Sequence, residues 1–224
     1  TKKAYKETDV LGGLDPYSAS KASAEILINS YANSYFNEKN NKILLSSVRA
    51  GNVIGGGDWS SYRIVPDCIK ATFNNKKTVI RNPNSTRPWQ HVLEPLSGYL
   101  SLALKLNKDA RFHGESYNFG QCDQKNYQVI DLVKEMNQNW SSIGWKINNR
   151  KNKKYESHFL NLNCNKARKK LNWQTALNFE ESVKLTVDWY RYYYENKGNT
   201  LHITNNQIKK YIGIAKGKGL FWAL

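Results

Sequence analysis

Tyr17 and Lys21 lie four residues apart in the segment Asp15-Pro16-Tyr17-Ser18-Ala19-Ser20-Lys21. On a helix both side chains share one face, and a cation beside a phenol favours the phenolate, so such a tyrosine can move protons near neutral pH. The spacing alone does not single them out, because Tyr35/Lys39 and Tyr193/Lys197 repeat it and read as ordinary helix-surface pairs. Three arginines, Arg63, Arg81 and Arg87, fall in or beside expected loops. There a guanidinium can fork onto phosphate oxygens with two parallel hydrogen bonds, and a diphosphate is a fitting target. His91 has the chemistry of a proton shuttle, but its neighbours Trp89, Val92 and Leu93 favour a hydrogen-bonded structural role. Neither the four histidines nor Cys68, Cys122 and Cys164 show metal-ligand spacing, so no metal site and no disulfide framework is expected.

The elements that must position these residues follow from periodicity. Ala22, Ile26, Ile28 and Ala32 recur at near-helical spacing after Asp15-Pro16, which predicts a helix from Tyr17 to about Asn33. Ile43 to Val48 reads as a buried strand that delivers Arg49-Ala50-Gly51-Asn52 and the triple glycine Gly55-Gly56-Gly57 to a sheet edge. A helix near Val65–Phe73 and a strand Thr78-Val79-Ile80 come next, then an irregular stretch from Arg81 to Pro88 whose prolines disfavour regular structure. Further helices are expected over Val92–Leu106, Val129–Asn139, Asn165–Leu171 and Glu180–Tyr194, with strands ending at Tyr117-Asn118-Phe119-Gly120 and at Lys146-Ile147-Asn148. Alternating strands and helices predict an α/β protein with parallel strands, whose ligands sit at the carboxyl ends of those strands. The segments after Val48, Ile80 and Phe119 are therefore the expected place for a site. The end of the chain, Gly213 to Leu224, carries three glycines and an apolar terminus and receives no function.

With 224 residues, two fifths of them apolar, the chain is long enough for one or two domains with a real core. A formal charge of +16 raises the question of a polyanionic partner. The clusters are short, however: Lys151, Lys153 and Lys154, then Lys166, Lys169 and Lys170, fall among asparagines without a nucleic-acid-binding motif. A solvated basic face is the preferred reading, and no nucleic-acid partner is expected. No apolar run approaches the roughly 20 residues of a membrane helix, so no membrane partner is expected, and the cysteine usage fits a reducing cytoplasm.

Three stretches carry a family resemblance. The setting Asp15-Pro16-Tyr17-Ser18-Ala19-Ser20-Lys21-Ala22-Ser23-Ala24-Glu25 resembles the Tyr-x-x-x-Lys helix of extended short-chain dehydrogenase/reductases. Arg49-Ala50-Gly51-Asn52-Val53-Ile54-Gly55-Gly56-Gly57-Asp58-Trp59 lacks the G-x-G-x-x-G order of a dinucleotide fingerprint. It is similar instead to the family's substrate loop, in the form found in its CDP-glucose 4,6-dehydratase branch. The stretch from Val79 to Tyr99, with Arg87-Pro88-Trp89-Gln90-His91 at its centre, is the most specific of the three and resembles the same branch. The resemblance implies the C-terminal part of a Rossmann-like parallel sheet plus a smaller mixed α/β substrate-binding region, with NAD as cofactor and a nucleotide sugar, CDP-glucose, as substrate. It also implies a homodimer and a place in deoxysugar biosynthesis of the kind that supplies lipopolysaccharide O-antigen. By resemblance Tyr17 is the catalytic acid/base, Lys21 binds the nicotinamide ribose, and Asn52, Arg87 and, more weakly, Asn118 are nucleotide-sugar ligands. Residues 1–58 would be what remains of the NAD-binding domain, 59–200 mainly the nucleotide-sugar region, and 201–224 a tail.

The match also has departures. The family's dehydratases place an acid between a threonine or serine and a lysine or glutamate upstream of the tyrosine, and here Thr1-Lys2-Lys3 stands in that place. Thr1 remains to polarise the C4 oxygen and Lys3 to take the C5 proton, but Lys2 replaces the acid, and an ammonium is a far weaker acid than a carboxylic group. The chain starts at Thr1, its only methionine is Met136, and it lacks the family's Gly-rich cofactor turn, so it reads as a fragment expected to bind NAD poorly by itself. Two other readings stay open: another NAD-dependent nucleotide-sugar epimerase or dehydratase, and a non-catalytic nucleotide-sugar-binding remnant.

Overall fold

The computed structural model describes residues 4–37, 42–121, 127–148 and 161–224. Thr1 and Lys3 lie outside the described residues, as do Lys39, Cys122, His158 and the cluster Lys151, Lys153 and Lys154. Helix α1 (Pro16–Ser34) starts where Asp15 accepts the Ser18 N–H and hydroxyl at 3.0 and 2.6 Å, with Pro16 in the first helical turn. Strand β1 (Ser47–Ala50) follows, shorter than the expected run from Ile43. The residues before it are diverted from the ladder: Leu45 N–H donates to His113 Nδ1 at 2.9 Å, and the Ser46 hydroxyl donates to the Phe112 carbonyl.

Then come β2 (Val53–Ile54), α2 (Ile64–Phe73), β3 (Thr78–Ile80), β4 (Thr86–Arg87), β5 (Gln90–His91), α3 (Leu93–Lys108) and β6 (Ser116–Phe119). They are followed by β7 (Tyr127–Gln128), α4 (Val129–Asn139), β8 (Trp145–Ile147), α5 (Asn165–Leu171), α6 (Phe179–Glu195) and α7 (Leu201–Gly217). Among the described residues β1 pairs in parallel with β6, β2 with β5 and β3 with β8. This is the parallel pairing that the alternation of strands and helices predicts. Two findings differ from the sequence reading. Thr86 and Arg87, within the stretch expected to be irregular, pair antiparallel with Gln128 and Tyr127. Pro83 and Pro88 flank this pair rather than interrupt it, so no ladder N–H is lost. The expected tail is largely helix α7: Gly213 costs about 1 kcal/mol against alanine, which the burial of Tyr211 and Ala215 outweighs.

Apolar burial is concentrated in three places. Ile69 of α2, Leu132 and Met136 of α4 and Val183 and Val187 of α6 form one core beside β3. Leu102 of α3, Phe119 of β6, Leu171 of α5 and Trp173 form a second, where a β-carbon on Gly98 would stand 2.3 Å from the Phe119 ring. Leu177, Leu185 of α6 and Tyr211 and Ala215 of α7 form the third. Each fully buried aliphatic or aromatic side chain contributes about 1.5–3 kcal/mol. Glu94, at the head of α3 and completely buried, joins the second and third cores. Its carboxylate accepts the N–H groups of Ala176 and Leu177 and the Tyr211 hydroxyl, which also reaches Ser97 at 3.0 Å.

α1 is held differently. Only Glu25 and Ala32 are buried, while Ile26, Leu27 and Tyr31, and Tyr35 at the C-cap, are each more than half exposed. Glu25 receives Arg49 Nε at 2.8 Å and Nη2, and also the hydroxyls of Ser47 and Ser116 at 3.2 and 2.9 Å. Burial would raise this carboxyl, but the hydrogen bonds of Arg49 and Ser116 and the Arg49 charge outweigh it and hold Glu25 below its ordinary range. Its contribution is complete above the ordinary value of 4.5 and drains away as acid takes the pH through the lower native value.

Two outcomes follow from these carboxylates. Arg49→Met strands a buried charge and should cost about 3 kcal/mol in urea unfolding, with faster amide exchange along α1 than along α4; a loss below about 0.5 kcal/mol contradicts the role given to the pair. Burial pushes Glu94 up to about 7 against the hydrogen bonds it accepts. The native state therefore keeps a proton that the unfolded chain releases from about 4.5, and stability contributed at this residue falls as pH rises between those values. Glu94→Gln should flatten the stability profile in that window, and an unchanged slope refutes the assignment.

Candidate functional site

A cleft of about 1130 Å³ opens between the start of α1, the glycine-rich loop after β1 and the loop after β3. Tyr17, Asn52, Arg63, Arg81 and Arg87, five residues singled out from the sequence, all line it. Tyr17 sits in the first turn of α1 and is 72% exposed. The Lys21 ammonium lies 5.7 Å from the Tyr17 ring centroid, so the two side chains do share a face. Asn52 is fixed by its main chain: its carbonyl accepts Gln90 N–H at 3.0 Å, while Gly51 N–H donates to Phe119 O at 3.1 Å and Gln90 Nε2 to the same carbonyl. The parallel ladders of β1 with β6 and β2 with β5 thus meet at this asparagine.

The arginines approach from three elements. Arg63 is the N-cap residue of α2 and pairs with Asp58 at 3.0 Å. Arg81 is exposed and directly follows β3, and Arg87 lies on β4 with Nη1 donating to Thr86 O at 2.8 Å. Burial would raise the Asp58 carboxyl, but hydrogen bonds from Ser60 and Arg63 hold it below its ordinary range, so it stays ionised and orients the guanidinium. Three arginines against Asp58 and Asp67 leave the lining cationic. No side chain caps α2, whose first turn also lines the cleft, so its free N–H groups and dipole add to the pull on an anion.

The other sequence candidates lie elsewhere. Asn118 is completely buried and does not line the cleft: its Nδ2 donates to the carbonyls of Tyr5 and Asn163 at 3.1 and 3.3 Å, and its N–H donates to Glu7. It joins two chain segments to β6. His91 is buried with Nδ1 accepting Leu93 N–H at 3.3 Å, and burial lowers its pKa to about 4, which keeps the ring neutral. Sequence reasoning missed Asp58, Tyr62 and Trp89 as lining residues. Asp58 and Trp89 stood inside the family-like stretches without a role, whereas nothing in the sequence marks the left-handed φ of 66° at Tyr62. Among the described residues no group of three His, Cys, Asp or Glu could hold a metal, and no helix is long and apolar enough to cross a membrane.

The residues present suit only one end of a dinucleotide. Tyr17 and Lys21 can meet a ribose and the ring it carries, but no G-x-G-x-x-G turn to cradle a pyrophosphate occurs in the 224 residues.

Known proteins resemble this chain in sequence and in fold. The family model described as GDP-mannose 4,6 dehydratase matches residues 1–186. A CDP-glucose 4,6-dehydratase of Salmonella typhimurium is 41% identical over 190 residues, covering 84% of this chain and 53% of the relative. A dTDP-D-glucose 4,6-dehydratase of Homo sapiens is 26% identical over 207 residues, covering 88% and 54%. The chain spans about half the length of the curated relatives it matches. Among solved structures, a dTDP-glucose 4,6-dehydratase from Bacillus anthracis in complex with NAD superposes with a TM-score of 0.67 at 19% identity, covering 90% of this chain and 59% of that one. The enzyme of the same description from Streptomyces venezuelae, with NAD and TYD bound, gives 0.68 at 19% identity, covering 90% and 57%. These likenesses establish the α/β, Rossmann-like fold. With five sixths of its length matched, the chain belongs to the GDP-mannose 4,6 dehydratase family.

Proposed function

We propose that this chain is the part of an NAD-dependent nucleotide-sugar 4,6-dehydratase that binds CDP-glucose and presents its hexose to Tyr17. The observation that carries the reading is the meeting of Tyr17, Asn52, Arg63, Arg81 and Arg87 in one cleft, from four separate stretches of sequence. The likeness to the Salmonella CDP-glucose enzyme favours cytidine over the other nucleotides. In the reaction Tyr17 takes the proton of the C4 hydroxyl, and Lys21 holds the nicotinamide ribose and sets the charge around the phenol oxygen. NAD, when bound, supplies a hydride acceptor at C4 and returns the hydride at C6. The arginines and the N-terminus of α2 hold the diphosphate, and Asn52 orients the sugar end. Thr1 and Lys3, outside the described residues, are proposed to polarise the C4 oxygen and to take the C5 proton as water leaves C6. The product is CDP-4-dehydro-6-deoxyglucose, a precursor for deoxysugars such as those of O-antigens.

On this reading residues 1–58 serve the cofactor side and 59–200 mainly the nucleotide sugar. The exposed Ile26, Leu27 and Tyr31 on α1, with Tyr35 at its C-cap, support a homodimer, and the buried thiol of Cys68 fits a cytoplasmic protein. Lys2, in the place of the family's acid, favours a second reading, a protein that binds the nucleotide sugar without dehydrating it. Affinity without turnover, once an intact cofactor half is supplied, would select it.

In calorimetric titration of CDP-glucose, Arg87→Ala should weaken binding by about tenfold or more, the worth of a charge-assisted hydrogen bond. Arg111→Ala, whose exposed guanidinium meets Asp109 away from the cleft, should bind as the parent does. Competition should rank CDP-glucose ahead of dTDP-, UDP- and GDP-glucose; a preference for dTDP-glucose would replace the substrate.

A further inference from the structure

Helix α6 reaches the glycine-rich loop with two adjacent aromatic residues. Trp189 packs against Gly56 so closely that a β-carbon there would stand 2.0 Å from indole Cδ2, which leaves glycine as the residue that fits. The Tyr190 hydroxyl donates to the Asp58 carbonyl at 2.6 Å, and the Asp58 carboxylate holds Arg63. Through these contacts α6 grips the loop at Gly56 and at Asp58, between Asn52 and Arg63 in the cleft lining. The indole is itself held from behind by α7. Its Nε1 donates to Thr204 Oγ1 at 2.9 Å, and the adjoining Gln207 donates Nε2 to the Leu185 carbonyl of α6 at 2.7 Å. α7 lies beyond residue 186, where the family match ends.

We infer that α7 is a strut for the ligand cleft and that Thr204 is a positioning residue: by accepting the Trp189 N–H it fixes the indole against Gly56, and so fixes the loop that carries Asn52 and Asp58. Without that acceptor the indole N–H of the buried Trp189 must turn toward another partner, and the ring edge that meets Gly56 turns with it. Gly56 has no side chain to resist the shift, and Asp58 passes it to Arg63. The consequence for ligand binding rests on the reading of the cleft as a nucleotide-sugar site; the consequence for the loop does not.

The test uses the whole chain and three substitutions. Thr204→Val keeps the shape and removes the acceptor, Thr204→Ser keeps the acceptor, and Gln207→Met loosens α7 from α6 without touching Trp189. Amide exchange of the ligand-free chain should rise about threefold or more at Gly56, Gly57 and Asp58 in Thr204→Val. The CDP-glucose Kd should weaken by about fivefold, the effect of one lost hydrogen bond. Thr204→Ser should restore both, and Gln207→Met, which loosens the strut but keeps the Trp189 acceptor, should lower the unfolding temperature and shift both by clearly less than Thr204→Val does. Loop exchange unaltered in Thr204→Val, or an equal change in Gln207→Met, overturns the inference, as does unaltered Kd in a parent that binds CDP-glucose. Loop exchange that responds as stated in a parent that binds no CDP-glucose leaves the strut standing and removes the nucleotide-sugar reading instead.

Discussion

The contact between Glu25 and Arg49 is the constraint on which the placement of the candidate catalytic tyrosine depends. α1 brings little apolar surface into the core, so its orientation relative to β1 rests mainly on one partly buried ion pair and two serine hydroxyls, with the His113 ring meeting the Ala32 carbonyl further along the helix. The same guanidinium reaches the carbonyls of Lys6 and Glu7 at 3.4 and 3.3 Å, and the Glu7 carboxylate accepts the Asn118 N–H. One arginine at the end of β1 therefore locates three things: the helix bearing Tyr17, the turn leading to Asn52 and the segment that follows Thr1 and Lys3. A directional, charge-assisted contact suits this task better than apolar packing, because it fixes orientation as well as proximity.

The far side of the cleft is built on a different principle. Arg63 and Asp58 hang from a loop clamped by α6, and Arg81 and Arg87 leave short strands rooted in the core around Ile69, Leu132 and Met136. Apolar packing gives this side a rigid base on which long cationic side chains can adapt to a diphosphate. The two sides meet at Asn52, where the β1–β6 and β2–β5 ladders are joined through Gln90. The division matches the chemistry proposed: proton transfer needs a positioned tyrosine, whereas anion binding needs charge with some freedom.

Much of this was legible in the sequence, for identifiable reasons. The amphipathic period of α4 and α5 gave their limits as the structure has them, and Asp15-Pro16 marked the start of α1 through cap chemistry. The glycines near the end of the chain hid α7, because their cost is local while the gain from Tyr211 reaching Glu94 comes from 117 residues away. Likewise β4 escaped notice because its partner, β7, lies about 40 residues further on and its flanking prolines mimic a loop. Asn118 is a ligand candidate through the family resemblance alone; its structural partners, Tyr5 and Asn163, show no pattern that could announce them. Glu25 and Arg49 fall in two different family-like stretches, and nothing in a linear pattern reveals a pair separated by 24 residues.

The most direct measurement of the central claim is a crystal structure of the chain with CDP-glucose bound. The account predicts the hexose between Tyr17 and Asn52, with its C4 hydroxyl on the tyrosine oxygen and the diphosphate among Arg63, Arg81 and Arg87. A diphosphate held on another face, such as the lysines of α5, or a hexose turned away from Tyr17, would contradict it.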